Sequence, residues 1–173
     1  KSKKRISFGI ERLFSDIPTY VLKGIDDEIW IGTYNGLYVL YTDNPQIMKP
    51  KEIGRKDFIE PIRSISAIAS FNDMTFIAGD LGVFSFDGEN KTWEFIFPST
   101  MYENKIINSI AVSNRYLFLG SNNGLFRIDK NTGFIRDYKF PFIGQVNDLF
   151  IDENILWIGS SKGLIKFKWK RDI

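Results

Sequence analysis

A ten-residue pattern recurs four times along the chain and restricts the fold more than any other feature. Ile29-Trp30-Ile31-Gly32-Thr33-Tyr34-Asn35-Gly36-Leu37-Tyr38 returns as Leu117-Phe118-Leu119-Gly120-Ser121-Asn122-Asn123-Gly124-Leu125-Phe126. It returns again as Leu156-Trp157-Ile158-Gly159-Ser160-Ser161-Lys162-Gly163-Leu164-Ile165. A more divergent copy, Thr75-Phe76-Ile77-Ala78-Gly79-Asp80-Leu81-Gly82-Val83-Phe84, lies between the first two. The second glycines, Gly36, Gly82, Gly124 and Gly163, are 46, 42 and 39 residues apart. Self-similarity at this period marks a stacked repeat architecture.

Each copy reads as two strands around a tight turn. The segment before the turn is β-branched and aromatic and of strand length. The first Gly or Ala permits close backbone approach, and the second Gly is expected at a positive φ that other residues resist. A short strand precedes each copy, at 20–24, 64–69, 107–112 and 146–151, joined to it by Asp26-Asp27, Asn72-Asp73, Ser113-Asn114 and Asp152-Glu153-Asn154. These are turn-forming compositions. A fourth strand follows at 91–96 and 133–138, and a blurred one at 47–53, where Pro50 argues for an edge or a break. The unit is therefore four antiparallel strands in about 42 residues, the dimension of a propeller blade. A blade buries its two apolar faces only by stacking on neighbours. Trp30, Phe76, Phe118 and Trp157 hold equivalent positions. They are expected to pack between blades rather than to form a sugar platform. Helical repeats need uninterrupted amphipathic stretches, which Gly and Asn break here. A β-sandwich is the other arrangement that suits the strand count.

The expected architecture is all-β: one propeller domain over residues 1–173, with repeats at about 14–58, 59–98, 99–140 and 141–173. The fourth repeat ends soon after its third strand, 163–169. Residues 5–13 have strand character, with Ile6, Phe8 and Ile10 on one face. They are expected to supply the outer strand of the last blade, closing the ring and removing both edges. Trp169 is placed to cover that seam. Two chains sharing an eight-bladed ring, or a piece of a longer propeller, are the alternatives.

At residues 29–37, 117–125 and 156–164 the chain resembles the two-component regulator propeller repeat. That repeat has an aliphatic–Trp–aliphatic–Gly–Thr pattern, two or three loose positions, Gly–Leu and a hydrophobic strand. Gly32, Gly120 and Gly159 match its first glycine. Gly36, Gly124 and Gly163 match its second, and Trp30 and Trp157 its Trp. Gly82 keeps the second glycine, while Ala78 replaces the first. The four copies and their intervening strands cover about residues 20–169. The resemblance implies a propeller in an extracytoplasmic setting, periplasmic or secreted, as in the sensor portions of hybrid histidine kinases, and a glycan as the kind of ligand detected. Such sensors carry many more repeats, then a transmembrane helix and a kinase.

Composition excludes several chemistries. The chain has no Cys and no His. Disulfide scaffolds, zinc–thiolate sites and His-centred acid–base catalysis are therefore closed to it. A formal charge of +2, from 23 basic and 21 acidic residues, gives little general attraction for nucleic acid. No apolar stretch approaches the roughly 20 residues that span a bilayer. Phosphate-loop and dinucleotide fingerprints are absent, and no cofactor is expected. Ser113, Ser121 and Ser160 lack a His partner and a nucleophile elbow. Asp26-Asp27 and Asp152-Glu153 fall in hairpin turns, so a carboxylate-based hydrolase or lyase is the weakest reading. Asp129-Lys130-Asn131-Thr132-Gly133 has some calcium-loop flavour but too few oxygen ligands, and a plain hairpin explains it; no metal is expected.

Binding chemistry is expected at one end of the ring. The turns inside the repeat and the links between blades, at 15–19, 59–63, 98–105 and 140–145, should emerge together. They offer amides, hydroxyls, aromatics and a few charges, the chemistry of glycan or peptide recognition. The candidate ligand-binding residues are Tyr34, Asn35, Arg63, Asp80, Tyr102, Asn122 and Lys162. Asn35, Asp80 and Asn122 have turn geometry as their ordinary explanation. Tyr34, Arg63, Tyr102 and Lys162 have no turn duty. The expected function is a non-enzymatic, sensor-like module that binds a glycan, peptide or protein. The alternative is a structural or oligomeric assembly module, including a homo-oligomer. Lys1–Arg5 and Lys166–Arg171 would converge on a closed ring and offer an anionic contact.

Overall fold

The computed structural model describes residues 19–25, 28–41, 47–48, 64–103 and 105–172. They form four antiparallel sheets that follow one another along the chain. The first holds β1 (Thr19–Ile25), β2 (Glu28–Thr33), β3 (Gly36–Tyr41) and β4 (Ile47–Met48). The second holds β5 (Ala67–Phe71), β6 (Met74–Ala78), β7 (Gly82–Asp87) and β8 (Thr92–Pro98). The third holds β9 (Ile107–Val112), β10 (Tyr116–Ser121), β11 (Gly124–Asp129) and β12 (Ile135–Tyr138). The fourth holds three strands, β13 (Val146–Asp152), β14 (Ile155–Ser160) and β15 (Gly163–Phe167). Short 3₁₀ turns occupy Ser99–Tyr102 and Trp169–Asp172. The sheets coincide with the repeats, and within each the strands pair in chain order.

The repeat sequence explains the local geometry. In blades one, three and four a hydroxyl follows the first glycine and pins the central turn. Thr33 Oγ1 donates to the Gly36 carbonyl (2.8 Å) and accepts the Asn35 N–H (3.1 Å). Ser121 does the same with Gly124 and Asn123 (3.0 and 3.2 Å), and Ser160 with Gly163 and Lys162 (3.0 and 3.1 Å). The second glycine sits at φ between 104° and 149° in all four blades, where a side chain is strained. In blade two, which lacks the hydroxyl, the Gly79 N–H bonds the Gly82 carbonyl (2.9 Å) and Asp80 Oδ1 takes the Leu81 N–H (3.0 Å).

Strand pairing sorts each blade's side chains onto two faces. Trp30, Leu37 and Val39 of blade one pack with Ile77, Phe84 and Phe86 of blade two. Phe76, Ala78 and Val83 of blade two pack with Leu117, Leu119, Phe126 and Ile128 of blade three. Tyr116, Phe118 and Leu125 of blade three pack with Leu149, Leu156 and Ile158 of blade four. The Trp/Phe position thus always lies on the downstream face, toward the next blade. Trp30, Phe76 and Phe118 are between 0% and 3% exposed. Burying a side chain of that size contributes roughly 1.5–3 kcal/mol. The innermost strands stand side by side, β1 against β5, β5 against β9 and β9 against β13.

The sheets do not close into a ring among the described residues. β13 and β1 have no comparable contact, and β15 pairs only with β14. The expected closing strand, residues 5–13, lies outside the described residues. Trp157 is half-buried, unlike its three counterparts, and no blade packs over it among the described residues. Trp169 does not serve as a closure cover. It is 4% exposed and meets Tyr116 and Phe118 edge-on, each at 5.5 Å, sealing the seam between blades three and four. The Asp129–Gly133 segment is a hairpin turn. Asp129 Oδ1 accepts the Asn131 and Thr132 N–H groups (2.9 and 3.3 Å), and its Oδ2 accepts from Arg115.

Candidate ligand cleft on the loop face

Backbone hydrogen bonds bring the two loop sets to one end of the molecule. The Ser64 N–H donates to the Tyr34 carbonyl (2.9 Å), and the Ser99 N–H to Leu81 (2.8 Å). The Asn122 N–H donates to Ile106 (3.0 Å), and the Ser161 N–H to Gln145 (2.8 Å). Each central turn is therefore tied to a link between blades, on a common loop face.

On that face blades one, two and three enclose a cleft of about 610 Å³. Tyr34 reaches it from the β2–β3 turn and Asp80 from the β6–β7 turn. Ser64 and Ser66 enter on the approach to β5, Ser99 from the first 3₁₀ turn, and Lys105, Ile106 and Asn108 from the approach to β9. Tyr34 and Ile106 are each 60% exposed. The volume is in the range of small-ligand sites.

The electrostatics leave a carboxylate available. The Lys105 ammonium lies 3.2 Å from Glu103 and 3.6 Å from Asp137, and over the Phe126 ring at 4.7 Å. Lys139 joins the same pair of acids at 3.0 and 3.3 Å. The hydrogen bond from Lys139, with that from Lys105, holds the Glu103 carboxyl below its ordinary range. Lys105 is thus compensated. Asp80 binds the Leu81 N–H through Oδ1, and no cation pairs with it among the described residues. The cleft combines an exposed aromatic ring, a carboxylate, three hydroxyls and a carboxamide.

The other expected site residues are placed as follows. Asn35 and Asn122 are exposed turn residues outside the cleft wall, and Asn122 abuts it through its bond to Ile106. Lys162 is exposed on the β14–β15 turn, away from this cleft, beside Gly144. Arg63 lies outside the described residues. Tyr102 is not on the loop surface. It is 1% exposed and packs 6.1 Å from Phe126, because its 3₁₀ turn folds the ring inward. Burial, and secondarily the Asp80 charge, push its phenol up to about 12. Ile106 and Asn108 were not singled out in the sequence. Asn108 sits where the β9–β10 register slips between Gly120 and Ser121, and such a bulge re-aims a side chain. A carboxamide at the second position of a strand that ends Ile110-Ala111-Val112 is the signal that could have found it.

A second cavity, of about 480 Å³, is walled by the innermost strands β5, β9 and β13. Its polar groups bridge blades: Asn108 Nδ2 donates to the Val146 carbonyl (2.9 Å) and Ser109 Oγ to Asp148 Oδ1 (3.3 Å). These contacts hold blade three to blade four.

No sequence-family model and no curated sequence matches the chain. Its backbone does resemble solved structures. The extracellular domain of BT4673 from B. thetaiotaomicron superposes with a TM-score of 0.71 at 20% identity, over 88% of this chain and 21% of that one. The computationally designed Ika4 protein gives 0.69 at 15% identity, over 91% and 95%. The WD40 domain of Neurospora crassa Pan2 gives 0.55 at 15% identity, over 87% and 46%. The fold is therefore propeller-like, and this chain spans about a fifth of the length of the BT4673 domain.

Proposed function

We propose that this chain is a non-enzymatic recognition module of the propeller type, which binds a glycan on its loop face. The observation that carries the reading is the meeting of Tyr34 and Asp80, from separate blades, in one cleft edged by Ser64, Ser66, Ser99 and Asn108. An aromatic ring offers its face to the C–H side of a sugar. A carboxylate and hydroxyls match the equatorial hydroxyl groups. The likeness to the extracellular domain of BT4673 and the resemblance to sensor propeller repeats support an extracytoplasmic, sensor-like role.

Titration calorimetry against a panel of neutral oligosaccharides tests this. Tyr34→Ala is expected to weaken binding about fivefold or more, since an aromatic contact of this kind is worth on the order of 1 kcal/mol. Asp80→Asn is expected to weaken it several-fold. Peptide or protein binding in place of sugars, or sugar binding indifferent to both changes, would overturn the assignment.

A further inference from the structure

Charge is distributed unevenly around the cleft that Tyr34 and Asp80 share. Lys105 lines it, and its ammonium is spent on Glu103 and Asp137, at 3.2 and 3.6 Å. Lys139 is spent on the same two acids, at 3.0 and 3.3 Å. Two ammoniums therefore answer two carboxylates, and Asp80 stands outside the set. Its Oδ1 takes the Leu81 N–H, a neutral donor, and no cation pairs with it among the described residues. Its field reaches into the protein, where it adds to burial in keeping the Tyr102 phenol protonated.

A ligand that covers Asp80 displaces its water. Under a neutral ligand the carboxylate is left desolvated and uncompensated, which is costly. A cationic ligand pairs the charge instead. The other groups of the cleft suit the same ligand atom. Tyr34 is 60% exposed, and the face of its ring attracts an ammonium. Asn108 spends Nδ2 on the Val146 carbonyl at 2.9 Å, so Oδ1 is left as its acceptor. The hydroxyls of Ser64 and Ser66 accept as well. An ammonium, all donor and no acceptor, meets acceptors here. We propose that the glycan taken by this cleft carries a free, protonated amino group, bound between the Asp80 carboxylate and the Tyr34 ring. The ligand class is an unacetylated amino sugar, such as a glucosamine oligomer. This inference rests on the glycan reading and narrows it.

Titration calorimetry with two oligosaccharides of equal length, one of glucosamine and one of N-acetylglucosamine, tests it. Acetylation removes the charge and leaves the ring and its other hydroxyls. The glucosamine oligomer is expected to bind about tenfold tighter or more at low salt. The preference is expected to shrink as salt is raised, through screening. Asp80→Asn keeps an oxygen for the Leu81 N–H, so the turn is retained, and is expected to equalise the two affinities. Equal binding of the two oligomers by the parent chain, weakened by Tyr34→Ala, would overturn the amino-sugar assignment and leave glycan recognition standing. A preference for glucosamine that survives Asp80→Asn would also overturn it, since the cation then binds elsewhere. So would binding of neither oligomer, with neutral sugars still bound through Tyr34. Binding of no sugar at all, or of a lysine-bearing peptide in its place, would overturn the glycan reading and the assignment together.

Discussion

Val146 fills the space that Gly120 leaves by having no side chain. A Cβ built at Gly120 would stand 2.9 Å from Val146 Cβ and 3.3 Å from Leu149 Cδ1. In blade three the first glycine of the repeat is therefore a packing device that receives the opening residue of the next blade. Gly120→Ala is expected to destabilise the fold by about 1–3 kcal/mol through overpacking. Gly159→Ala, at the same repeat position without a neighbour, is expected to change monomer stability by less than about 0.5 kcal/mol. Urea denaturation of both variants checks the contrast.

The turn hydroxyls should show a similar split. Ser121 is fully buried while it bonds Gly124 and Asn123, and Ser160 makes the same two bonds at an exposed turn. Ser121→Ala leaves a shielded carbonyl and N–H short of a partner and is expected to cost about 1–3 kcal/mol. At Ser160 water replaces the lost bonds, so Ser160→Ala is expected to cost about 0.5 kcal/mol or less. Thermal unfolding of the pair distinguishes them.

Tyr102 supplies an alkaline test. Its phenol oxygen is buried without a hydrogen-bond partner among the described residues, and its pKa is pushed up to about 12 by burial and then by Asp80. An unfolded tyrosine ionises near 10. Below about pH 10 the hydroxyl is protonated in both states; above it the unfolded chain ionises first and stability falls until the folded value is reached. Tyr102→Phe is expected to flatten that loss. At neutral pH it is expected to leave stability unchanged or raise it by up to about 1 kcal/mol, because an unpartnered polar atom is removed. Denaturant curves at pH 7 and pH 11 measure both effects.

The Arg115–Asp129 contact supplies the acid counterpart. Arg115 Nε and a terminal guanidinium nitrogen each approach Asp129 Oδ2 at 2.8 Å. The Arg115 hydrogen bond, chiefly, and the Asn131 and Thr132 N–H groups hold the Asp129 carboxyl below its ordinary range. That stabilisation is present above the unfolded carboxylate pKa, about 3.9, and is lost as pH falls through the lower folded value. Asp129→Asn is expected to unfold at lower temperature than the parent at pH 7, with the gap closing below about pH 4. A gap that stays constant from pH 7 to pH 3 would show the contact to be without electrostatic consequence.

The local unit of this protein was legible because it is written four times. The inner strands expected at 107–112 and 146–151 are Ile107–Val112 and Val146–Asp152, and the outer strands expected at 91–96 and 133–138 are Thr92–Pro98 and Ile135–Tyr138. Glycine spacing and strand alternation are short-range signals, so a linear reading captures them. Of the blurred strand expected at 47–53, Ile47–Met48 forms β4, and the rest lies outside the described residues. Tyr102 and Trp169 were misplaced for a different reason. Each follows a strand by one short turn, and only the direction of that turn decides whether an aromatic ring meets solvent or the adjoining blade.

What the sequence determined by itself is the blade: four strands, a pinned turn, and a recurrent Trp or Phe position on one of two apolar faces. Those follow from backbone sterics and the two-residue period of a strand. What only the tertiary structure decided is which faces are covered and which turns meet. Tyr34 and Asp80 share a cleft although they are far apart in the chain, and Trp157 differs from Trp30 although their sequence contexts agree. Burial is a property of the neighbour, and the neighbour of the last blade is not encoded in that blade's own repeat.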